Sequence, residues 1–360
     1  MKKVGIITFH FVNNYGGVLQ TYALQSVVNE LGHDAKVIDY RNWFIRFTDA
    51  VRVLPITKKW AVLNSGFKTM AERLERIQKI QNFVRGKLKL TKRVNSFSIK
   101  SLNGDFDKFI CGSDQIWNPF LTCGVDGAYY LDFVDDDNKK IAYAPSMGTG
   151  RIPGVMLKRM FTLIRHIPHL SIREKTSEAI VCEGVGRHAE VMVDPTLLVS
   201  KEKWERLCEA PQNMPDKYIL LYMMQGDDHI YRFARAIKEK YKLPIVEISR
   251  YGFNPGFADK VLVNVGIEEF LGLFHNAEYV CTNSYHGFVY AMIFEKKLCL
   301  IPSVHFSARI KNLLTLLEMD ENDISTYDNL LVKFDYDNIE KVLKDYRNRA
   351  LTYLDRAIGS

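Results

Sequence analysis

The chain has 360 residues, 47% of them hydrophobic and 25% charged, with a formal net charge of +7. That length exceeds what one hydrophobic core usually supports, so two domains are expected. No uncharged apolar run approaches the roughly 18 residues of a membrane-spanning helix. The six cysteines, at 111, 123, 182, 208, 281 and 299, form no CxxC. Neither a zinc site nor a disulfide framework is indicated, and reduced cytoplasmic thiols are the simple reading.

Taken in chain order, residues 3–9 read as a buried strand. The apolar stretch there is broken by Gly5 and His10 and runs into Asn13-Asn14, unlike a signal peptide. A loop with Gly16-Gly17 precedes a helix over 18–31, and residues 35–39 form the next strand, which makes a βαβ unit. Residues 41–95 read as an inserted helical segment, because ERLERIQKIQNFV has apolar residues at helical spacing. Strands follow at 106–111, 140–144, 169–172 and 189–193. They end in GSDQIWNP, PSMGTG, REK and DPTLL. Strands that repeatedly end in small or polar residues suit a parallel sheet whose ligands sit at the carboxyl ends.

Residues 199–216 read as a crossover, with a short helix over 201–209. A second alternation begins there. Strands are expected at 218–223, 244–248, 278–282 and 297–301. Helices are expected at 228–241, 267–276, 287–295, 307–317 and 338–357. The predicted architecture is α/β: two Rossmann-like domains facing a cleft, residues 1–198 and 199–337, with a C-terminal helix over 338–360.

Charge is uneven. Between Arg41 and Arg93 stand fourteen basic residues against three acidic ones, interleaved with Trp43, Phe44, Phe47, Trp60, Phe67 and Phe83. Such a mixture suits an anionic membrane surface or a lipid-diphosphate headgroup, or else a helical excursion with a solvated basic face. Nothing in it matches a nucleic-acid motif.

Several turns carry side chains suited to chemistry. TNSYHG, residues 282–287, falls at a strand-to-helix turn, where N–H groups and a positive dipole end favour an anion. His286 there is a proton-transfer group, or a buried ring that satisfies a carbonyl. FHFVNNYGGVLQ resembles a phosphate-binding turn loosely, without GxGxxG or a P-loop lysine. Arg173 closes a strand and suits bidentate contact with phosphate or carboxylate, or else pairs with Glu174 or Asp194. Asp114 and Asp194 bind a sugar hydroxyl or cap the next helix, and DPT favours the cap for Asp194. Arg309 is a second candidate for an anion, or forms a surface salt bridge. No cluster of metal ligands is visible in the spacing.

The ordered set GIITFHFVNNYGGVLQTYALQ, FDKFICGSDQIWNP, YYLDF, IAYAPSMG, SIREKTS, VDPTLL and EYVCTNSYHGFVYAMIFEKKL, with Arg309 after it, spans residues 4 to about 310. It resembles the polysaccharide pyruvyl transferase family. The resemblance implies a fold like the GT-B glycosyltransferases. It also implies a reaction in which phosphoenolpyruvate gives its enolpyruvyl group to two hydroxyls of a hexose-type sugar. The product is a cyclic ketal in capsule, exopolysaccharide or cell-wall glycan. The family histidine matches His286 and implies a general acid/base. The arginine of the S-V-R-E strand end matches Arg173 and implies a catalytic donor ligand. The family's Ser-x-Gly matches Ser146 and Gly148 near the donor, beside Ser284, Tyr285 and Gly287 of the helix turn. Where one version of the motif has an arginine two residues before the histidine, this chain has Ser284, and Arg309 stands as the alternative second anion clamp.

The acceptor is expected against Asn14, Tyr15, Gly16, Asp114 and Gln115. No metal or cofactor is expected beyond phosphoenolpyruvate as co-substrate. The implied acceptor is lipid-diphosphate-linked, met at the inner face of the membrane through residues 41–93. A GT-B glycosyltransferase using a nucleotide sugar, and a non-catalytic scaffold of polysaccharide assembly, are the competing readings.

Overall fold

The computed structural model describes residues 1–45, 47, 66–148, 150–224, 228–249, 256–300, 308–319, 325–326 and 329–360. The part of the predicted insertion at 46 and 48–65 lies outside the described residues.

The chain opens with β1 (Lys3–Ile7), α1 (Tyr15–Glu30) and β2 (Asp34–Val37), followed by α2 (Gly66–Lys87). Next come β3 (Lys108–Cys111), β4 (Lys140–Ala142), α3 (Gly154–Ile164), β5 (His169–Ile172), α4 (Lys175–Val185) and β6 (Glu190–Val191). After the crossover stand α5 (Lys201–Glu205), β7 (Ile219–Tyr222), α6 (Asp228–Tyr241), β8 (Ile245–Ile248) and β9 (Lys260–Leu262). The chain continues through α7 (Ile267–Asn276), β10 (Tyr279–Thr282), α8 (Tyr285–Ile293), β11 (Lys297–Leu300), α9 (Ala308–Leu316) and α10 (Tyr336–Gly359).

The described residues of 1–49, 84–199 and 342–360 form one compact unit, and those of 50–83 and 200–341 a second. The first contains a six-stranded parallel sheet in the order β2-β1-β3-β4-β5-β6. Its inner strands are buried on both faces, which is why they read as near-continuous apolar runs. Phe9, Phe109, Trp117, Tyr129 and Ile172 belong to its core. The predicted C-terminal tail falls within α10, and its second half packs in this unit, where the Tyr353 hydroxyl donates to the Ala142 carbonyl at 2.9 Å.

The second unit contains a five-stranded parallel sheet in the order β11-β10-β7-β8-β9. Its core draws on Ile219, Leu221, Ile230, Phe233, Ile245 and Cys281. α7 begins with Glu269 accepting from the Gly266 N–H at 2.7 Å, which anchors its first turn. Lys79 of α2 adds a second partner to that carboxylate, at 2.8 Å.

In both sheets the first strand is interior and the chain leaves it to either side. The reversal of strand order falls between β1 and β3 in the first sheet and between β7 and β10 in the second. In open parallel sheets ligands collect outside the carboxyl ends at such a switch point.

Candidate active site

In the second unit the switch point is built by TNSYHG. The Thr282 hydroxyl donates to the Tyr222 carbonyl at 2.6 Å and accepts from the Ser284 N–H at 3.1 Å, joining the ends of β7 and β10. Asn283 Oδ1 accepts from the Met224 N–H at 3.1 Å and repeats the link one step further out. Ser284 is the N-cap of α8: its hydroxyl accepts from Gly287 N–H at 3.3 Å and its carbonyl from Phe288 N–H at 2.9 Å.

The helix therefore starts two residues earlier than predicted, and Tyr285, His286 and Gly287 are its buried first turn. Gly287 is there for close approach. A Cβ at that position would lie 2.3 Å from Thr282 Oγ1. The His286 ring stands edge-on to Tyr285, with centroids 5.1 Å apart, and is 6% exposed. The Arg309 guanidinium lies 5.5 Å from the centre of the Tyr285 ring. The predicted residues Ser284, Tyr285, His286, Gly287 and Arg309 thus come together at the positive end of α8.

In the first unit the loops after β1, β3, β4 and β5 meet at the carboxyl ends. Asn14 caps α1, its side chain accepting from Gly16 N–H at 3.0 Å, so Tyr15 and Gly16 belong to the first turn and not to the loop predicted there. Asp114 sits at φ 68°, in the left-handed region that asparagine and aspartate tolerate better than most residues. Its carbonyl accepts from Ser146 N–H at 2.8 Å. The Ser146 hydroxyl in turn accepts from Gly148 N–H at 3.0 Å. Gln115 lies against Gly148, where an added Cβ would stand 2.0 Å from Oε1. The start of α1 is close too, since a Cβ on Gly17 would be 3.5 Å from Asp114 Oδ2. Residues expected at the donor (Ser146, Gly148) and at the acceptor (Asp114, Gln115, Asn14, Tyr15, Gly16) therefore gather at the carboxyl end of this sheet, several of them buried.

Arg173 makes the ion pairs that its second reading names. It is 2% exposed and ringed by carboxylates, with Nη1 donating to Asp194 Oδ2 at 2.5 Å and Nε to Glu174 Oε1 at 3.2 Å. Its Nη2 stands 3.6 Å from Asp114 Oδ1. Asp194 also caps the turn after it, with Oδ1 accepting from Thr196 N–H at 3.0 Å, as DPT suggested. The guanidinium thus ties the ends of β3, β5 and β6 together from within.

Sequence reading missed the buried groups His10, Asp39 and Glu247. His10 Nε2 lies 3.0 Å from Asp39 Oδ1, and Arg41 Nε donates to the same oxygen at 2.6 Å. Burial works to raise the Asp39 carboxyl, but hydrogen bonds from His10 and Arg41 hold it well below the usual carboxylate range. In the second unit Glu247 is 3% exposed on β8, and burial pushes its carboxyl up to about 7. The signal was present, since PIVEIS places one acid inside an apolar strand.

Two Rossmann-type parallel sheets, each with its switch point at the carboxyl ends, define an α/β protein of the GT-B-like class. Among solved structures, a putative UDP-N-acetylglucosamine 2-epimerase from Listeria monocytogenes is similar at TM-score 0.52 and 10% identity, covering 97% of this chain and 90% of that one. Also similar are the UDP-GlcNAc 2-epimerase from Neisseria meningitidis bound to UDP-GlcNAc and the glycosyltransferase SnogD from Streptomyces nogalater. The former has TM-score 0.48 and 11% identity, covering 100% of this chain and 98% of that one. The latter has TM-score 0.41 and 14% identity, covering 100% and 95%. No curated protein matches the sequence. The polysaccharide pyruvyl transferase family model matches residues 14–303, and the chain belongs to that family. No helix among the described residues is long and apolar enough to cross a membrane.

Proposed function

We propose that the protein transfers the enolpyruvyl group of phosphoenolpyruvate to two hydroxyls of one hexose-type sugar, forming a cyclic pyruvate ketal in capsule, exopolysaccharide or cell-wall glycan synthesis. The observation that carries this reading is His286 at the first turn of α8, on the switch point of a sheet in a chain of this family.

The chemistry needs a proton shuttle and an anion site. A first sugar hydroxyl adds to C2 of phosphoenolpyruvate while C3 gains a proton. The C2–O bond to phosphate then breaks, and the second hydroxyl closes the ketal at C2, its proton leaving with the phosphate. His286 is the group we assign to carry the proton from hydroxyl to C3. The positive end of α8 and Arg309, held over Tyr285, suit the donor's phosphate and carboxylate. Ser284 supports this as cap. Arg173 acts from behind, positioning Asp114, Ser146 and Gly148 toward the substrates. The acceptor lies against Asn14, Tyr15, Gly16, Asp114 and Gln115. These steps call on no metal or cofactor.

The acceptor is proposed to be lipid-diphosphate-linked and met at the cytoplasmic membrane face. In the described part of the basic segment, Arg41 pairs with Asp39 and Lys79 with Glu269, and Lys87 and Lys92 are exposed.

Incubation with phosphoenolpyruvate and a panel of lipid-linked and synthetic sugars, followed by phosphate release and product mass, tests the assignment. A pyruvyl ketal is expected, with turnover lowered about 10²- to 10⁴-fold in His286→Ala. Near-wild-type turnover in that variant would remove His286 from the mechanism.

A further inference from the structure

The helix α4 and the turn after it carry three metal-ligating side chains that the proposed reaction does not use. Glu178 and Cys182 stand four residues apart on α4 and so share one face. α4 ends at Gly186, whose φ of 76° reverses the chain, with its N–H donating to the Cys182 carbonyl at 3.0 Å. The reversal brings His188 back beside the last turn. Its Nδ1 lies 2.8 Å from Glu178 Oε1 and its Nε2 lies 3.6 Å from Cys182 Sγ. One ligand atom from each residue lies within 4.8 Å of the other two.

A tetrahedral ion would take one imidazole nitrogen and replace this hydrogen-bonded bridge, in which Glu178 and Cys182 meet different nitrogens of the ring. Bonds of about 2.3 Å to sulfur and about 2.0–2.2 Å to nitrogen and oxygen place neighbouring donor atoms roughly 3.4–3.6 Å apart. The His188 side chain is 85% exposed, so its ring is free to turn one nitrogen toward the point between sulfur and carboxylate. A thiolate, a carboxylate and a neutral imidazole balance a 2+ charge, and the mixed sulfur, nitrogen and oxygen set is one that zinc accepts. The carboxyl end of α4 adds its negative dipole end, which favours a cation. A surface ion pair between Glu178 and His188 would need no sulfur; here Cys182 Sγ completes the triangle.

We propose that Glu178, Cys182 and His188 bind one Zn²⁺ ion, with water in the fourth position. Binding releases the thiol proton of Cys182 and forms a Zn–S bond. The site lies along α4 and the turn after it, and shares no residue with those assigned to pyruvyl transfer.

Chelator-stripped full-length protein titrated with Co²⁺ as a spectroscopic stand-in tests this. The expected result is one equivalent bound, with the visible bands of a four-coordinate ion and a sulfur-to-cobalt charge-transfer band, all bleached by Zn²⁺. Cys182→Ser should abolish the charge-transfer band. His188→Ala should weaken binding by more than about tenfold, since loss of a mere supporting partner costs about 10- to 100-fold. Cys123→Ser, which alters an exposed thiol elsewhere, should change nothing. Melting curves in chelator establish that each variant is folded. Absence of the charge-transfer band in the parent protein, its survival in Cys182→Ser, or unchanged affinity in His188→Ala would each overturn the proposal.

Discussion

At the scale of single residues, the buried carboxyls of Asp39 and Glu247 behave in opposite ways. Asp39 is held ionised by His10 and Arg41, so its environment favours charge. Glu247 has no such help. Its Oε2 meets no hydrogen-bond partner among the described residues, and burial lifts its carboxyl from 4.5 to about 7. A carboxyl with a folded-state value above its unfolded one stabilises the fold in its neutral form. That contribution is fully present below about 4.5 and is lost as pH rises through about 7. The shift corresponds to ~3 kcal/mol. Glu247→Gln stays neutral throughout. Its unfolding free energy, followed by urea denaturation from pH 5 to 8, should pull ahead of the parent protein as pH rises and level off above neutrality. A difference independent of pH would mean that Glu247 does not titrate in place.

Helices are where sequence and structure part company most, and the reason is glycine. YGG at residues 15–17 and YHG at 285–287 read as loop because glycine weakens a helix. Both are first turns, because the helix must start pressed against the preceding strand and side chains on Asn14 and Ser284 satisfy the N–H groups left over. The side chains of Asn14 and Ser284, expected near the acceptor and the donor, also serve as these caps. α3 and α4 went unpredicted, and so did β9, a strand of three residues at the sheet edge. The three residues on α4 and its turn were invisible as a group, since Glu, Cys and His at 178, 182 and 188 match no familiar spacing and meet only through the reversal at Gly186.

Close approach at α8 is directly testable. Gly287→Ala would place a methyl 2.3 Å from Thr282 Oγ1 and 3.1 Å from the Tyr222 ring. Overpacking of this kind costs about 1–3 kcal/mol. It opposes the ~1 kcal/mol gained in helix propensity. Gly86→Ala in α2 meets nothing within 4 Å and shows the propensity gain alone. Thermal melting should therefore fall for the first variant and rise for the second. If both rise, α8 is not pinned to β10 by that glycine.

For the whole molecule, the alternation of strands and helices was the legible part. Apolar runs at 3–9, 106–111, 140–144 and 169–172, each closed by small or polar residues, all became parallel strands, as did those of the second alternation. The order of strands within each sheet, and hence the switch points that select TNSYHG and the GSDQ loop, follows from pairing between distant segments that local patterning does not encode.

The proposed reaction and the competing nucleotide-sugar transfer differ in the anion they take. Pyruvyl transfer requires a small donor with a phosphate and a carboxylate, whereas nucleotide-sugar transfer requires a base and a diphosphate. A ligand that binds only the folded state stabilises it by RT ln(1 + [L]/Kd), ~2.7 kcal/mol at one hundred times Kd. Phosphoenolpyruvate should therefore raise the melting temperature in a concentration-dependent way, and UDP-sugars should not. Arg309→Ala should blunt the phosphoenolpyruvate shift while leaving the ligand-free melting temperature near that of the parent. His286→Ala should retain most of the shift, because proton transfer is not a binding role. Stabilisation by a UDP-sugar with none by phosphoenolpyruvate would move the assignment to glycosyl transfer.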